Sequence, residues 1–179
     1  REHFHKPLTN IVYMGMGEPL LNYANTLRST ERINAEDGLG MSFRRITVST
    51  AGIAKQIRQL ADDGAKFNLA LSLHAATDEK RGRMMPINDT NGIADLMDAL
   101  RYYTRKARKE VTFEYILFRD FNDSLEDARH LVRLCSQVDA KVNLIEYNAI
   151  DEGRYQRTDL DKALQFQNFL ESKGITARI

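Results

Sequence analysis

The sequence predicts an α/β protein whose strands all run parallel and curl into an incomplete TIM-like barrel, a partial (β/α)6 arrangement. Short apolar runs rich in strand formers alternate with stretches whose apolar residues recur every three to four positions, and that alternation pairs strands in parallel through helical crossovers. Polar, glycine-containing sequence follows three of the strands, at Gly15-Met16-Gly17-Glu18-Pro19, Ser49-Thr50-Ala51-Gly52 and Ser72-Leu73-His74-Ala75, and a fourth ends in Tyr147-Asn148. Groups at the C-terminal ends of successive strands converge on one face of a barrel, whereas an open doubly wound sheet gathers its site near one switch point. Five strand–helix units and a sixth strand cannot close as eight do, so the barrel is partial.

The elements follow in order. Asn10-Ile11-Val12-Tyr13-Met14 reads as the first strand, ended by glycines, and a helix runs from about Asn22 to Glu36. Arg45-Ile46-Thr47-Val48-Ser49 leads into a helix with Ile53, Ile57, Leu60 and Ala61 on one face and Gly64 as its C-terminal cap. Phe67 to Leu73 is the third strand. An irregular segment containing Pro86 precedes an amphipathic helix marked by Ile93, Leu96, Met97, Leu100 and Tyr103, and Val111 to Phe118 is the fourth strand. Ser124-Leu125-Glu126-Asp127 starts the next helix, and Val142 to Tyr147 is the fifth strand. Thr158-Asp159-Leu160-Asp161 reads as a capped helix start. Gly174 ends that helix before the last strand, Ile175 to Ile179.

The 179 residues include 26 Lys+Arg against 25 Asp+Glu, and 42% are hydrophobic. A chain this long buries roughly 70% of the surface its unfolded form exposes, so residues 1–179 are expected to form one domain without disulfide or metal. The formal charge of +1 argues against a globally basic nucleic-acid glove but leaves a local patch open. No apolar run reaches the roughly 20 residues of a membrane helix, and the first residues lack the apolar centre of a signal peptide; the expectation is a cytoplasmic protein. Both ends, Arg1 and Ile179, read as cut from something longer. The single cysteine, Cys135, closes no internal disulfide and by itself holds neither a thiolate zinc site nor an iron–sulfur cluster.

Each motif has a structural reading and a functional one. Gly17 permits close approach to a ligand, and Pro19 disfavours helical geometry at Glu18, whose carboxylate could then receive an ammonium or hydroxyl; a plain tight turn explains the same residues. Ser49, Thr50 and Gly52 stand where a strand hands over to a helix, for capping or for a ligand's carboxylate or hydroxyls. Ser72 and His74 point to one side of their strand, at the mouth of the sheet. A buried, hydrogen-bonded histidine is the plain alternative. His3 and His5 form an HxH pair with little claim to a metal. Cys135 lies on an apolar helix face and reads as core. The run Arg101 to Lys109 holds five basic residues and two tyrosines, a solvated helix face or an RNA-phosphate contact. Arg81 with Arg83, and Arg154 with Arg157, are similarly open, and Tyr13 and Tyr23 read as packing.

In combination, Met14-Gly15-Met16-Gly17-Glu18-Pro19-Leu20, Arg44 to Gly52, Leu71-Ser72-Leu73-His74-Ala75, Met85-Pro86-Ile87-Asn88 and Asn143-Leu144-Ile145-Glu146-Tyr147-Asn148 resemble the RlmN family. These are radical S-adenosylmethionine (radical SAM) methyltransferases acting on C2 of adenine in 23S rRNA and some tRNAs, with a partial (βα)6 barrel fold. The resemblance implies that Gly17 and Glu18 contact the methionine amino group and that Ser49, Ser72, Leu73, His74 and Asn148 make further S-adenosylmethionine contacts. It also implies a Cys-x3-Cys-x2-Cys motif for a 4Fe-4S cluster, with the first barrel strand, before Arg1, and a methyl-carrying cysteine beyond Ile179. The chain itself is therefore expected to hold no cluster ligand and no catalytic cysteine, and to be inactive alone. Tyr147-Asn148-Ala149 replaces the family's common Trp-Asn-Pro. The implied partners of the complete enzyme are 23S rRNA, tRNA and an external electron donor, with no membrane and a monomeric state. The motifs do not separate C2 from C8 methylation by the sister family. A cluster-free ligand- or RNA-binding barrel and a His3/His5 metal hydrolase are the readings from other classes.

Overall fold

The computed structural model describes residues 8–148 and 153–179. Six strands form one sheet, β1 (Ile11–Tyr13), β2 (Ile46–Thr50), β3 (Asn68–Ser72), β4 (Val111–Leu117), β5 (Ala140–Glu146) and β6 (Ala177–Arg178), in the order 1-2-3-4-5-6 and all parallel. The order never reverses, which a doubly wound sheet requires and a barrel forbids. Among the described residues β1 and β6 remain edges, so the sheet is the expected partial barrel.

The helices are α1 (Tyr23–Asn34), α2 (Ala54–Asp62), α3 (Asp78–Gly82), α4 (Ile93–Ala107), α5 (Leu125–Cys135) and α6 (Leu160–Ser172). Strand residues facing them, among them Ile46, Val48, Leu69, Leu71, Phe113, Tyr115, Val142 and Leu144, join Ile57, Leu60, Leu96, Leu100, Tyr103, Leu131, Phe166 and Leu170 in one core. The strand period of two sends their neighbours to the opposite, concave face.

Three helix ends follow the expected chemistry. Ser124 and Asp127 form a reciprocal capping box on α5, and Gly64 and Gly174 take positive φ just after α2 and α6. Three details depart from expectation. The segment read as irregular contains α3 and a 3-10 turn over Pro86–Asp89. The capping box at Thr158 does not form: Asp159 is the N-cap of α6 without a side-chain bond, because Thr158 Oγ1 donates to Asp123 Oδ2 at 2.8 Å. The cap of α2 likewise comes from elsewhere, with Asn91 Oδ1 accepting from the Ala54 N–H at 2.9 Å.

Candidate S-adenosylmethionine site

The turn after β1 is shaped by Gly17, whose φ of +94° suits glycine. Glu18 is held extended before Pro19, and its carboxylate is heavily engaged. Oε1 accepts from the Leu20 N–H at 2.9 Å and from Thr50 Oγ1 at 2.8 Å, and Oε2 from the Ala51 N–H at 2.6 Å. Glu18 therefore ties the end of β1 to the end of β2 and also lines the cavity. Thr50 completes the knot by accepting from the Gly52 N–H at 3.0 Å. Gly52 has φ +102°, and a Cβ there would lie 2.9 Å from Leu96 Cδ2, so this corner tolerates no larger residue without repacking.

The same corner is held from below by Arg81, which is fully buried. Its guanidinium donates to the Ala51 carbonyl at 2.5 Å and to Asn88 Oδ1 at 2.8 Å, while Asn88 donates to Asp78 Oδ1 at 3.0 Å. Burial lowers the Arg81 pKa to about 10, with Asp78 opposing, so the side chain stays charged at neutral pH. This network accounts for Asn88 in the Met85-Pro86-Ile87-Asn88 motif.

Beyond β3, His74 adopts the left-handed region, φ +55°, an uncommon backbone state for a non-glycine residue. The strain is held by bonds on every side. The N–H groups of Leu73 and His74 both donate to the Glu114 carbonyl, at 3.0 and 3.1 Å, and Asn122 Nδ2 donates to the His74 carbonyl at 2.6 Å. Nδ1 of His74 accepts from the Ile116 N–H at 3.2 Å. Burial, helped by the charge of Arg81, pulls the imidazole down to about 4, so the ring is neutral near pH 7. A neutral imidazole that accepts through Nδ1 carries its proton on Nε2. That N–H has no partner among the described residues and is offered as a donor.

Gly17, Glu18, Ser49, Ser72 and His74 meet around one cavity of about 450 Å3, together with Met85, Glu114, Ile116 and Ile145. Ser49 Oγ and Ser72 Oγ lie 3.3 Å apart. Two residues of the expected set stand apart from this lining. The Leu73 side chain is buried in the core, with its N–H bonded to the Glu114 carbonyl and its own carbonyl to the Ala75 N–H at 2.7 Å. Asn148 is exposed beyond the end of β5.

The remaining motifs sort themselves by position. The run Arg101 to Lys109 ends α4 just before β4 begins, at the opposite end of the strands from the cavity. There Lys106 pairs with Asp62, and Lys109 Nζ donates to the Phe67 carbonyl at 3.0 Å. Arg83 stands 4.9 Å from the Phe121 ring, and Arg157 pairs with Glu146 at 2.7 Å. Cys135 is core, and burial pushes its thiol up to about 12, far from a reactive thiolate. Tyr13 and Tyr23 pack on the core while bonding Ser29 and Asp63. His3 and His5 lie outside the described residues, as does Ala149. Sequence reasoning missed Arg81 as a buried anchor and Glu114 as a lining residue. Glu114 did leave a signal, being the one charged residue inside the apolar run Val111 to Phe118.

A family profile described as the radical SAM superfamily matches residues 1–134. The chain belongs to the radical SAM superfamily. This radical SAM chain is 50% identical over 179 residues to a Christiangramia forsetii protein named "Probable dual-specificity RNA methyltransferase RlmN", covering all of this chain and 51% of that one. It is 47% identical over 170 residues to the Dual-specificity RNA methyltransferase RlmN of Campylobacter jejuni, covering 95% of this chain and 48% of the relative. A crystal structure of a radical SAM methyltransferase from Sphaerobacter thermophilus superimposes with a TM-score of 0.92 at 39% identity, covering 97% of this chain and 51% of that one. A domain of pyruvate-formate lyase-activating enzyme from Bacteroides vulgatus shares the fold at 15% identity and TM-score 0.73. The chain thus spans about half the length of the curated relatives it matches.

Proposed function

We propose that this chain is a single radical SAM core domain that forms the S-adenosylmethionine pocket of a cytoplasmic RNA methyltransferase acting on C2 of adenine in 23S rRNA and tRNA, as a monomer served by an external electron donor. The observation that carries the reading is the convergence of Glu18, Ser49, Ser72 and His74, from three successive strand ends, on one cavity, in a chain about half identical to RlmN proteins along its whole length. Among the described residues no helix is long and apolar enough to cross a membrane.

The cavity suits S-adenosylmethionine by size and by chemistry. Its volume lies within the roughly 300–1,000 Å3 usual for small-ligand sites, and it offers the free Nε2–H of His74 and the paired hydroxyls of Ser49 and Ser72. Gly17 and Glu18 would hold the methionine amino group, Ser49, Ser72 and His74 would orient the rest, and Leu73 and Asn148 would complete the set, Leu73 through backbone alone. The cluster is a different matter: among the described residues no group of three or more His, Cys, Asp or Glu could hold a metal ion. When bound to the family's cluster, S-adenosylmethionine supplies the methyl group and the radical chemistry. What this chain's own residues do is bind and orient. The neutral His74 donates without bringing positive charge beside a sulfonium, and the bonds around Glu18 and Ala51 keep the pocket's corner set before the ligand arrives.

The test is methylation of a 23S rRNA fragment and of tRNA by the protein encoded by the complete reading frame, with S-adenosylmethionine and a reductant under anaerobic conditions. Mass spectrometry is expected to find 2-methyladenosine in both RNAs. A product methylated at C8, or no methylated adenine from a cluster-loaded preparation, would overturn the assignment. The 179-residue chain by itself is expected to yield neither.

A further inference from the structure

Across the concave face at the depth of the cavity floor runs a row of polar side chains on four adjacent strands: Ser49 on β2, Ser72 on β3, Glu114 on β4 and Asn143 on β5. Ser72 is in register with Glu114, and Glu114 with Asn143. The row is partly self-satisfied, through the Ser49–Ser72 contact and the bond from Asn143 Nδ2 to Glu114 Oε2 at 2.7 Å. Glu114 is only 5% exposed and lines the cavity, yet its second oxygen, Oε1, has no partner among the described residues. A carboxylate largely withdrawn from water, with one oxygen left open only at the cavity it lines, costs stability, and a strand packed purely for stability would carry an apolar residue there. Burial raises its carboxyl above the ordinary carboxylate range, the Asn143 bond working against that.

We infer that Glu114 is a ligand-binding residue of this cavity, its Oε1 accepting a hydrogen bond from a sugar hydroxyl of an adenosine-containing ligand. The inference rests on the S-adenosylmethionine reading above, and it adds a residue to the contact set that reading uses. The choice of donor follows from the neighbours. Vicinal hydroxyls each need an acceptor, and Glu114 with Ser72 beside it in register presents two. An exocyclic adenine amine at Glu114 would bring the adjacent ring nitrogen, an acceptor, against the same carboxylate edge. A methionine ammonium is better served at Glu18, beside the glycine turn that lines the same cavity.

The experiment titrates 5′-methylthioadenosine and its 2′-deoxy, 3′-deoxy and 6-deamino counterparts into the 179-residue chain and its Glu114→Gln variant, by calorimetry and amide NMR. Loss of one of the two hydroxyls is expected to weaken binding to the parent chain by roughly tenfold or more, as for a hydrogen bond to a charged group. The same loss should cost the variant less than about threefold, while removal of the 6-amino group weakens both alike. Glu114→Leu, which has no acceptor to offer, repeats the cycle, and thermal melts keep loss of fold apart from loss of contact. Equal hydroxyl penalties in parent and variants would overturn the inference and leave the pocket assignment standing, as would a 6-amino penalty that vanishes with Glu114. Failure of every probe to shift the Ser49, Ser72 and His74 amides would overturn the pocket assignment and this inference with it.

Discussion

The two faces of the same strands have little in common. On the helix side Ile46, Val48, Leu69, Leu71, Phe113 and Tyr115 are at most 1% exposed and belong to one continuous core. One residue away along each strand, the concave side carries Ser49, Ser72, Glu114 and Asn143, and Val12 on the edge strand is 57% exposed. Because successive side chains alternate between faces, a single strand such as Val111–Leu117 serves both purposes without compromise. The outward face supplies stability. The inward face carries polar side chains where apolar ones would pack better, the pattern expected where binding competes with packing.

The sharpest way to break this contrast is an outward truncation. Phe113→Ala should cost about 3–5 kcal/mol, read as a lower urea midpoint, because Phe113 is fully buried with helices packed over it. A cost below about 1 kcal/mol would mean the helix face does not carry the fold.

An inward effect of nearly that size should appear on acidification. His74 is held at about 4 in the folded chain, against about 6.5 unfolded. Protons therefore bind the unfolded state preferentially in between. The stability contributed by the neutral ring is fully present above about pH 6.5 and is lost as pH falls through about 4, at most about 3 kcal/mol. Denaturant titrations of the parent and His74→Asn between these limits should diverge, and parallel curves would show that burial of the ring is not what sets its charge.

The smallest effect has the opposite sign. With its carboxyl raised by burial, Glu114 stabilises most when protonated, and that contribution is lost as pH rises through its folded value. Glu114→Gln should therefore raise the melting temperature at pH 7–8 and leave it unchanged near pH 4. A variant less stable than the parent at pH 8 would place Glu114 among the residues that support the fold.

Much of this was legible from residue order. Strand–helix alternation located all six strands, and the polar sequence after three of them singled out Gly17, Glu18, Ser49, Ser72 and His74, which the fold brings to one cavity. The less legible parts depend on distant partners. Thr158 looks like a local N-cap until Asp123 takes its hydroxyl, and α2 takes its cap from Asn91, 37 residues on. Arg81 reads as one of several surface cations, but its bonds to Ala51 and Asn88 put it inside. The basic run ending at Lys109 has the composition of an RNA contact, and only the direction of α4 sends it to the far end of the strands.

The sequence by itself determined the parallel α/β class, the membership of the core and the identity of the strand-end motifs, because periodicity and turn chemistry are properties of neighbouring residues. The tertiary structure alone decided that Glu18 is shared between the turn and the cavity, that His74 must carry its proton on Nε2, and that Glu114 keeps one oxygen free. Each of these depends on a donor or acceptor brought in from another strand, and local sequence carries no record of which groups will meet across the sheet.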